Sequence, residues 1–285
     1  KAKYFPRFAR TLVAGAIESG GRSGPILDPF VGSGTTLIES SLLGVESLGV
    51  DIDPLSVLIS QAKLDLMTIS VGELKASIDQ LGQPSGGSYK MPPVMARKFE
   101  RKGELERQAE FETTIAGWVS ALGRVEDERC RRVLSVCISD GIARKFNVRM
   151  MGTGVGRFAL EVRKTGLNRL IERNLQSVVG RAAVVKGMLQ AYGIEVAGSS
   201  VLKGDATSLP FESNSIGSIV TSPPYLPAAS GREDYLVGKS ISLTALGLMS
   251  SDEIEVARGG SIGSMKARTQ TGGALPASVS DLVQW

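Results

Sequence analysis

The sequence predicts an α/β fold: a parallel sheet interrupted by a large, mainly helical insertion. Three observations point there. Strand and helix signals alternate over residues 25–66. Strand signals return at 201–206 and 215–225. The stretch between, from 94 to about 192, is helical in pattern with no convincing strand.

Taken in order, residues 4–19 predict a helix entered through Pro6, with Phe8, Leu12, Val13, Ala16 and Ile17 at helical spacing. GGRSG (20–24) is a loop and PILDPF (25–30) a short buried strand. GSGTT (32–36) opens a helix that continues as TLIESSLLG and that Gly44 closes. SLGVDID (47–53) is a second strand, and Asp53 then caps a helix with Pro54 at its first position. LGQPSGGSYKMPP (81–93) has the composition of a linker. Within the helical block, GTGVGRF (152–158) is an interruption, and its lone GTGVG reads as a loop. VLKGDA is the third strand, LPFESNSIG a turn-rich link and SIGSIVTSPPY the fourth strand. EDYLVGKSISLTALGLM (233–249) gives one more helix, and the Gly/Ser/Ala-rich text after Met249 reads as loop. The expected division is residues 1–80, a basic helical insertion at 91–195, and 196–285.

Composition narrows the chemistry. The 285 residues are 42% hydrophobic and 22% charged, an ordinary globular balance. No apolar run approaches the roughly 20 residues that span a bilayer, so a cytoplasmic protein with no membrane partner is expected. The start, KAKYFPRFAR, has neither Met nor an apolar signal-peptide core, and the chain reads as a fragment of a longer protein. There is no histidine, which removes Cys/His zinc sites and the commonest general base. No metal site is expected. Cys130 and Cys137 lie seven apart on one helical face, the spacing of core packing. Residues 91–190 hold 19 Lys/Arg against 11 Asp/Glu, although the whole chain is only +4. A basic middle of this kind is a nucleic-acid footprint or a solvated helical surface, and charge alone leaves both open.

The strand ends carry the motifs. In DPFVGSGTT, Gly32 and Gly34 let the backbone turn sharply and approach a ligand. No Lys follows, so it is not a P-loop, and the third glycine of the dinucleotide fingerprint is missing. Asp51, at the tip of the next strand, is placed to accept hydrogen bonds from ribose hydroxyls, while Asp205 in GDA could reach an adenine edge. Open α/β sheets bind ligands at this edge, so the ligand would carry an adenosine. The fourth strand stops there in TSPPY. The prolines end the ladder, leaving the Pro223 carbonyl and Ser222 as acceptors and Tyr225 as a flat face for stacking on a base.

The ordered set resembles the amino-methylating DNA methyltransferases, which use S-adenosylmethionine to methylate cytosine N4 or adenine N6. The resemblance covers residues 1–66 and about 200–249. It implies a Rossmann-like methyltransferase sheet, here cut short at its C-terminus. It also implies a cofactor loop comprising Asp28, Pro29, Phe30, Gly32, Ser33, Gly34, Thr35 and Thr36. Asp51 and Ile52 would hold the ribose side, Asp205 and Ala206 the adenine side, and Lys3 and Phe5 in KAKYFP the methionine end. Ser222, Pro223, Pro224 and Tyr225 would be catalytic, acting on a base flipped out of double-stranded DNA. Asp234 and Tyr235 would lie near that base, and Arg131, Arg132, Arg144 and Lys145 in the basic block would grip DNA. Serine at position 222 favours cytosine N4 over adenine N6 in such a family, and no Cys stands beside the proline for C5 chemistry. A cognate restriction enzyme is a possible companion, and the oligomeric state is not legible. The insertion precedes the third strand, which is not the family's usual place. An RNA base methyltransferase of the guanine N2 type and a non-catalytic nucleic-acid-binding protein are the alternatives.

Overall fold

A computed structural model describes residues 5–19, 24–150, 158–222 and 235–260; for Met150, Tyr235 and 258–260 it describes the backbone alone. The chain divides into two compact units. The first holds Lys1–Gln80, Val125–Val136 and Leu175–Pro223; the second holds Leu81–Arg124, Cys137–Asn174 and Pro224–Trp285.

The first unit is α/β. Helix α1 (Pro6–Glu18) starts at Pro6, whose fixed φ suits a first helical position, and buries Ala9 and Val13. Strand β1 (Ile26–Asp28) is buried throughout. Helix α2 (Thr35–Leu42) follows, and Gly44 (φ +75°) turns the chain out of it. Strand β2 (Ser47–Asp51) leads to α3 (Pro54–Thr68), capped by Asp53, which accepts from the Leu55 amide at 3.0 Å. Helix α4 (Val71–Leu81) comes next. Strands β5 (Ser199–Lys203) and β6 (Ser218–Ile219), numbered after the hairpin below, complete an all-parallel sheet in the order β5-β2-β1-β6. A cluster of Val31, Leu37, Leu64, Met67 and Leu189 forms one core; Val13, Ile26 and Val220 form another, tying α1 to the central strands. Gly49 on β2 is a packing glycine: a Cβ there would stand 2.7 Å from Val31 Cγ2 and 2.9 Å from Leu37 Cδ2. At the opposite end of the sheet from the motifs, Ser199 Oγ lies 2.7 Å from both Ser41 Oγ and Ser47 Oγ.

The second unit contains α5 (Pro93–Glu100), α6 (Leu105–Leu122), α9 (Tyr235–Ala245) and α10 (Ser251–Gly260). It also takes the C-terminal half of α7 (Glu128–Lys145) and the start of α8 (Leu167–Ala191); the remainders of both helices belong to the first unit. Phe99, Phe111 and Phe146 meet edge-to-face, with centroids 5.1–6.4 Å apart. Gly141 of α7 lies against Ile171 of α8, where a Cβ would come within 2.5 Å. The 82–92 coil is fastened to α6: Glu112 accepts from the Met91 amide at 2.9 Å, and Arg124 donates to the carbonyls of Leu81 and Gln83. Burial pushes the Tyr89 phenol well up, and its hydroxyl lies 3.0 Å from Thr244 Oγ1.

Three expectations are corrected. The block from 94 to 192 does contain strands: β3 (Phe146–Met150) and β4 (Phe158–Val162) pair antiparallel. Their apolar residues alternate with polar ones, so the hairpin covers the core with one face only. The text after Met249 first forms α10, started by a reciprocal capping box: Ser250 Oγ accepts from the Glu253 amide and Glu253 accepts from the Ser250 amide. Finally, the compact units do not follow the 91–195 bounds, because 125–136 and 175–195 fall in the first unit. Among the described residues no helix is long and apolar enough to cross a membrane.

Candidate active site

The sheet order brings the motif-bearing ends together at one edge. The connection from β1 runs toward β2 and β5, while β6 lies on the other side of β1, so the chain's progress across the sheet reverses between β1 and β6. Such a reversal opens a crevice at the carboxyl ends of the strands, where ligands of open α/β sheets bind.

The glycine loop is held from several sides. Gly32 (φ +51°) and Gly34 (φ +78°) take left-handed conformations that side chains disfavour, and a Cβ on Gly34 would meet Ser60 at 3.0 Å. Ser60 Oγ donates to the Gly32 carbonyl (2.9 Å) and Lys63 Nζ to the Ser33 carbonyl (2.7 Å), both from α3. Asp51 closes the arrangement. Its Oδ2 accepts from the Gly32 amide and its Oδ1 from the Asp53 amide, each at 2.9 Å. Asp51 thereby fixes the glycine loop and the start of α3 to the tip of β2. Ile52, next to it, is 59% exposed at the same edge, an apolar surface where a flat ring could lie.

Asp205 stands just past β5, and the Gly204 amide donates to the Asp51 carbonyl (3.1 Å). Its carboxylate is exposed and accepts from the Thr207 amide (2.9 Å) and hydroxyl (2.8 Å), which hold its pKa below the usual range. Ala206 lies in that turn, half-buried.

Asp28 ends β1 and is buried. Its Oδ1 accepts from Thr221 Oγ1 at 2.6 Å and from the Phe30 amide at 3.1 Å. Burial raises its pKa; the hydrogen bonds, and the nearby Thr36 hydroxyl, oppose that rise. Among the described residues Thr36 Oγ1, which is buried, meets no partner within full hydrogen-bond geometry. Pro29 is buried and Phe30 half-buried, while Ser33 is exposed and Thr35 half-buried at the start of α2. Phe5 is 71% exposed, and its carbonyl accepts the first amides of α1. Ser222 is half-buried, two residues beyond the last ladder residue Val220. Lys3, Pro223, Pro224, Tyr225 and Asp234 lie outside the described residues, as does the side chain of Tyr235.

The four basic residues expected to grip DNA have other engagements. Lys145 is 3% exposed and donates to the carbonyls of Arg163 (2.7 Å) and Thr165 (2.8 Å), with its ammonium 5.0 Å from the Phe111 ring centre. A surface role for it is therefore corrected. Arg132 pairs with Asp65 (2.7 Å) and Glu128 (2.6 Å), Arg144 with Asp140 (2.5 Å), and Arg131 donates to the Val125 carbonyl (3.3 Å). Cys130 and Cys137 are buried and form no disulfide, as the core reading expects. Among the described residues no acidic, His or Cys cluster could hold a metal ion.

Sequence reasoning passed over Ser60, Lys63 and Thr221. The last stands inside the quoted TSPPY; the first two sit on a helix whose pattern gives no sign of a loop contact.

Comparison with known proteins bears on this geometry. The chain is 36% identical over 102 residues to the type II methyltransferase M.BsoBI of Geobacillus stearothermophilus, covering 35% of this chain and 18% of that protein. It is 51% identical over 39 residues to the type II methyltransferase M.MjaII of Methanocaldococcus jannaschii, 14% of this chain and 7% of the relative. It is 53% identical over 38 residues to the type II methyltransferase M.MvaI of Kocuria varians, 13% and 8% respectively. Over these stretches the chain is similar to type II methyltransferases. This agrees with the family resemblance read from the motifs. The matched stretches span under a fifth of each relative's length. No family model matches the chain, and no solved structure matches it significantly.

Proposed function

We propose that the chain is the catalytic part of an S-adenosylmethionine-dependent DNA methyltransferase with a Rossmann-like sheet, acting on the exocyclic amine of a flipped base, cytosine N4 foremost. One observation carries the reading. The parallel order β5-β2-β1-β6 lines up the glycine loop, Asp51, Asp205 and the start of TSPPY along a single carboxyl edge. The residues fit the cofactor: left-handed glycines admit close approach, Asp51 is an acidic group at the strand tip where a ribose diol would lie, and exposed Ile52 offers an apolar face to adenine.

When bound, the cofactor supplies a methyl group on a sulfonium, already a good leaving group. The protein's part is then alignment. Ser222 Oγ and the Pro223 carbonyl accept hydrogen bonds from the target amine and turn its lone pair toward the methyl group. With the cofactor bound, the methyl group would pass to the amine nitrogen as its bond to sulfur breaks, leaving a neutral thioether, and the amine proton would pass to solvent past Ser222 Oγ. Tyr225 stacks on the extruded base and offsets part of the few kcal/mol that flipping costs. For the duplex backbone, exposed cations of the second unit that bear no ion pair among the described residues are more accessible than the buried Lys145. Arg97, Arg101 and Lys102 at the end of α5, and Arg163 and Lys164 after β4, are such groups. A cognate restriction enzyme would accompany such a protein.

The test is transfer of labelled methyl from S-adenosylmethionine to mixed duplex DNA, with nucleoside analysis, for wild type and Ser222→Ala. N4-methylcytosine from wild type and a loss of about 100-fold in the variant are expected. N6-methyladenine corrects the base. Label entering tRNA but not DNA favours the RNA reading, and absence of cofactor binding overturns the proposal.

A further inference from the structure

The hydrogen bond between Thr221 and Asp28 joins two segments far apart in sequence that the proposed reaction needs in register. We infer that Thr221 is a positioning residue: through Asp28, it couples the cofactor loop to the placement of Ser222. The inference rests on the methyltransferase reading above and deepens it.

The backbone ladder between β1 and β6 pairs Ile26 with Ser218 and Leu27 with Ile219, and ends with the Val220 amide donating to the Leu27 carbonyl at 3.0 Å. Thr221 is the first residue past that ladder. Its hydroxyl takes over as a link to β1 where the backbone bonds stop. It reaches Asp28 Oδ1 at 2.6 Å, and the same oxygen accepts from the Phe30 amide at 3.1 Å. One acceptor atom thus receives a donor from the glycine-loop segment and a donor from the start of the catalytic motif. A displacement of the Phe30 peptide alters the position of the shared oxygen and so of Thr221, and Ser222 is the next residue.

The site is dry enough for this to matter. Asp28 is 2% exposed, and a hydroxyl–carboxylate bond is short and strong in such surroundings. Asp28 is buried and bonds both segments, so it links them directly. Its elevated pKa reflects the same burial.

Hydrogen exchange of the full chain, with and without S-adenosylhomocysteine, tests the coupling in wild type, Thr221→Val and Thr221→Ser. Binding should slow exchange across 216–222 about tenfold in wild type and Thr221→Ser but not in Thr221→Val, the loss expected for one charge-assisted hydrogen bond. The dissociation constant, by calorimetry, should stay within about threefold across the set. Undiminished slowing in Thr221→Val overturns the inference and leaves the cofactor reading intact. A large loss of affinity in Thr221→Val also overturns it, making Thr221 a binding residue. Failure of wild type to bind removes the cofactor reading and the coupling together. Should Thr221→Val not fold, Thr221→Ala is read in its place; unfolding of both assigns the hydroxyl a purely structural role and overturns the inference.

Discussion

At the sheet edge of the first unit, Asp51 directs both carboxylate oxygens to backbone amides of adjoining loops; in the second unit, Lys145 turns its ammonium inward onto two backbone carbonyls. Both are charged groups gripping backbone, yet they serve different ends. Asp51 is partly open, and its grip shapes a loop at the edge where a ligand would sit. Lys145 is buried beside the ring of Phe111, and its grip secures the turn after β4. The lesson is that a charge's exposure and its partners, not its sign or its place in a basic stretch, decide whether it serves a ligand or the fold.

Substitutions can break this contrast. Lys145→Ala strands two carbonyls and opens a cavity next to Phe111, so a stability loss of about 2–4 kcal/mol is expected, measured by urea unfolding. Folded protein should still bind S-adenosylhomocysteine as wild type does. Gly49→Val drives side-chain atoms into Val31 and Leu37, with about 1–3 kcal/mol expected by the same assay. Asp51→Asn sets an amide donor against one of two backbone amides, and cofactor affinity by calorimetry should fall about tenfold or more, with a smaller effect on the unfolding midpoint.

Asp28→Asn sharpens the contrast through pH. The folded-state pKa of Asp28 is raised, so the fold favours its protonated form. Its ionisation therefore costs stability as pH rises from the ordinary carboxylate range through the raised value. The melting temperature of wild type minus that of Asp28→Asn should fall as pH increases across that window; a difference that grows instead would contradict the burial argument.

The sheet half of the molecule was readable because its signals are local. Pro6, Asp53 with Pro54, and Gly44 mark helix ends by their own backbone chemistry, and the strand tips carry their motifs on adjacent residues. Helices α4 and α10 also start with a local Ser-x-x-Glu box, Ser70 with Glu73 and Ser250 with Glu253, but the sequence reading passed over both and took the text after Met249 as loop. The hairpin was written in period two, with Phe146, Val148 and Met150 facing Val162, Leu160 and Phe158 in register, but the helical text on either side masked it. The burial of Lys145 had no local sign. It depends on carbonyls 18 and 20 residues away. In the site, Asp51 was legible as a strand-tip acid, whereas the Asp28–Thr221 bond crosses 193 residues and no spacing rule reaches that far.

That separation has a consequence for how the molecule is made. The β1–α2–β2 stretch lies within residues 26–51 and can draw together soon after synthesis from neighbouring contacts. Strands β5 and β6 emerge only after the β3–β4 hairpin and all of α8 have left the ribosome. Until then, the flank of β1 that β6 will cover stands open to pairing with any other extended chain. The glycine loop is therefore an early structure and the edge that completes it a late one, and the slow phase of refolding should be the arrival of β6.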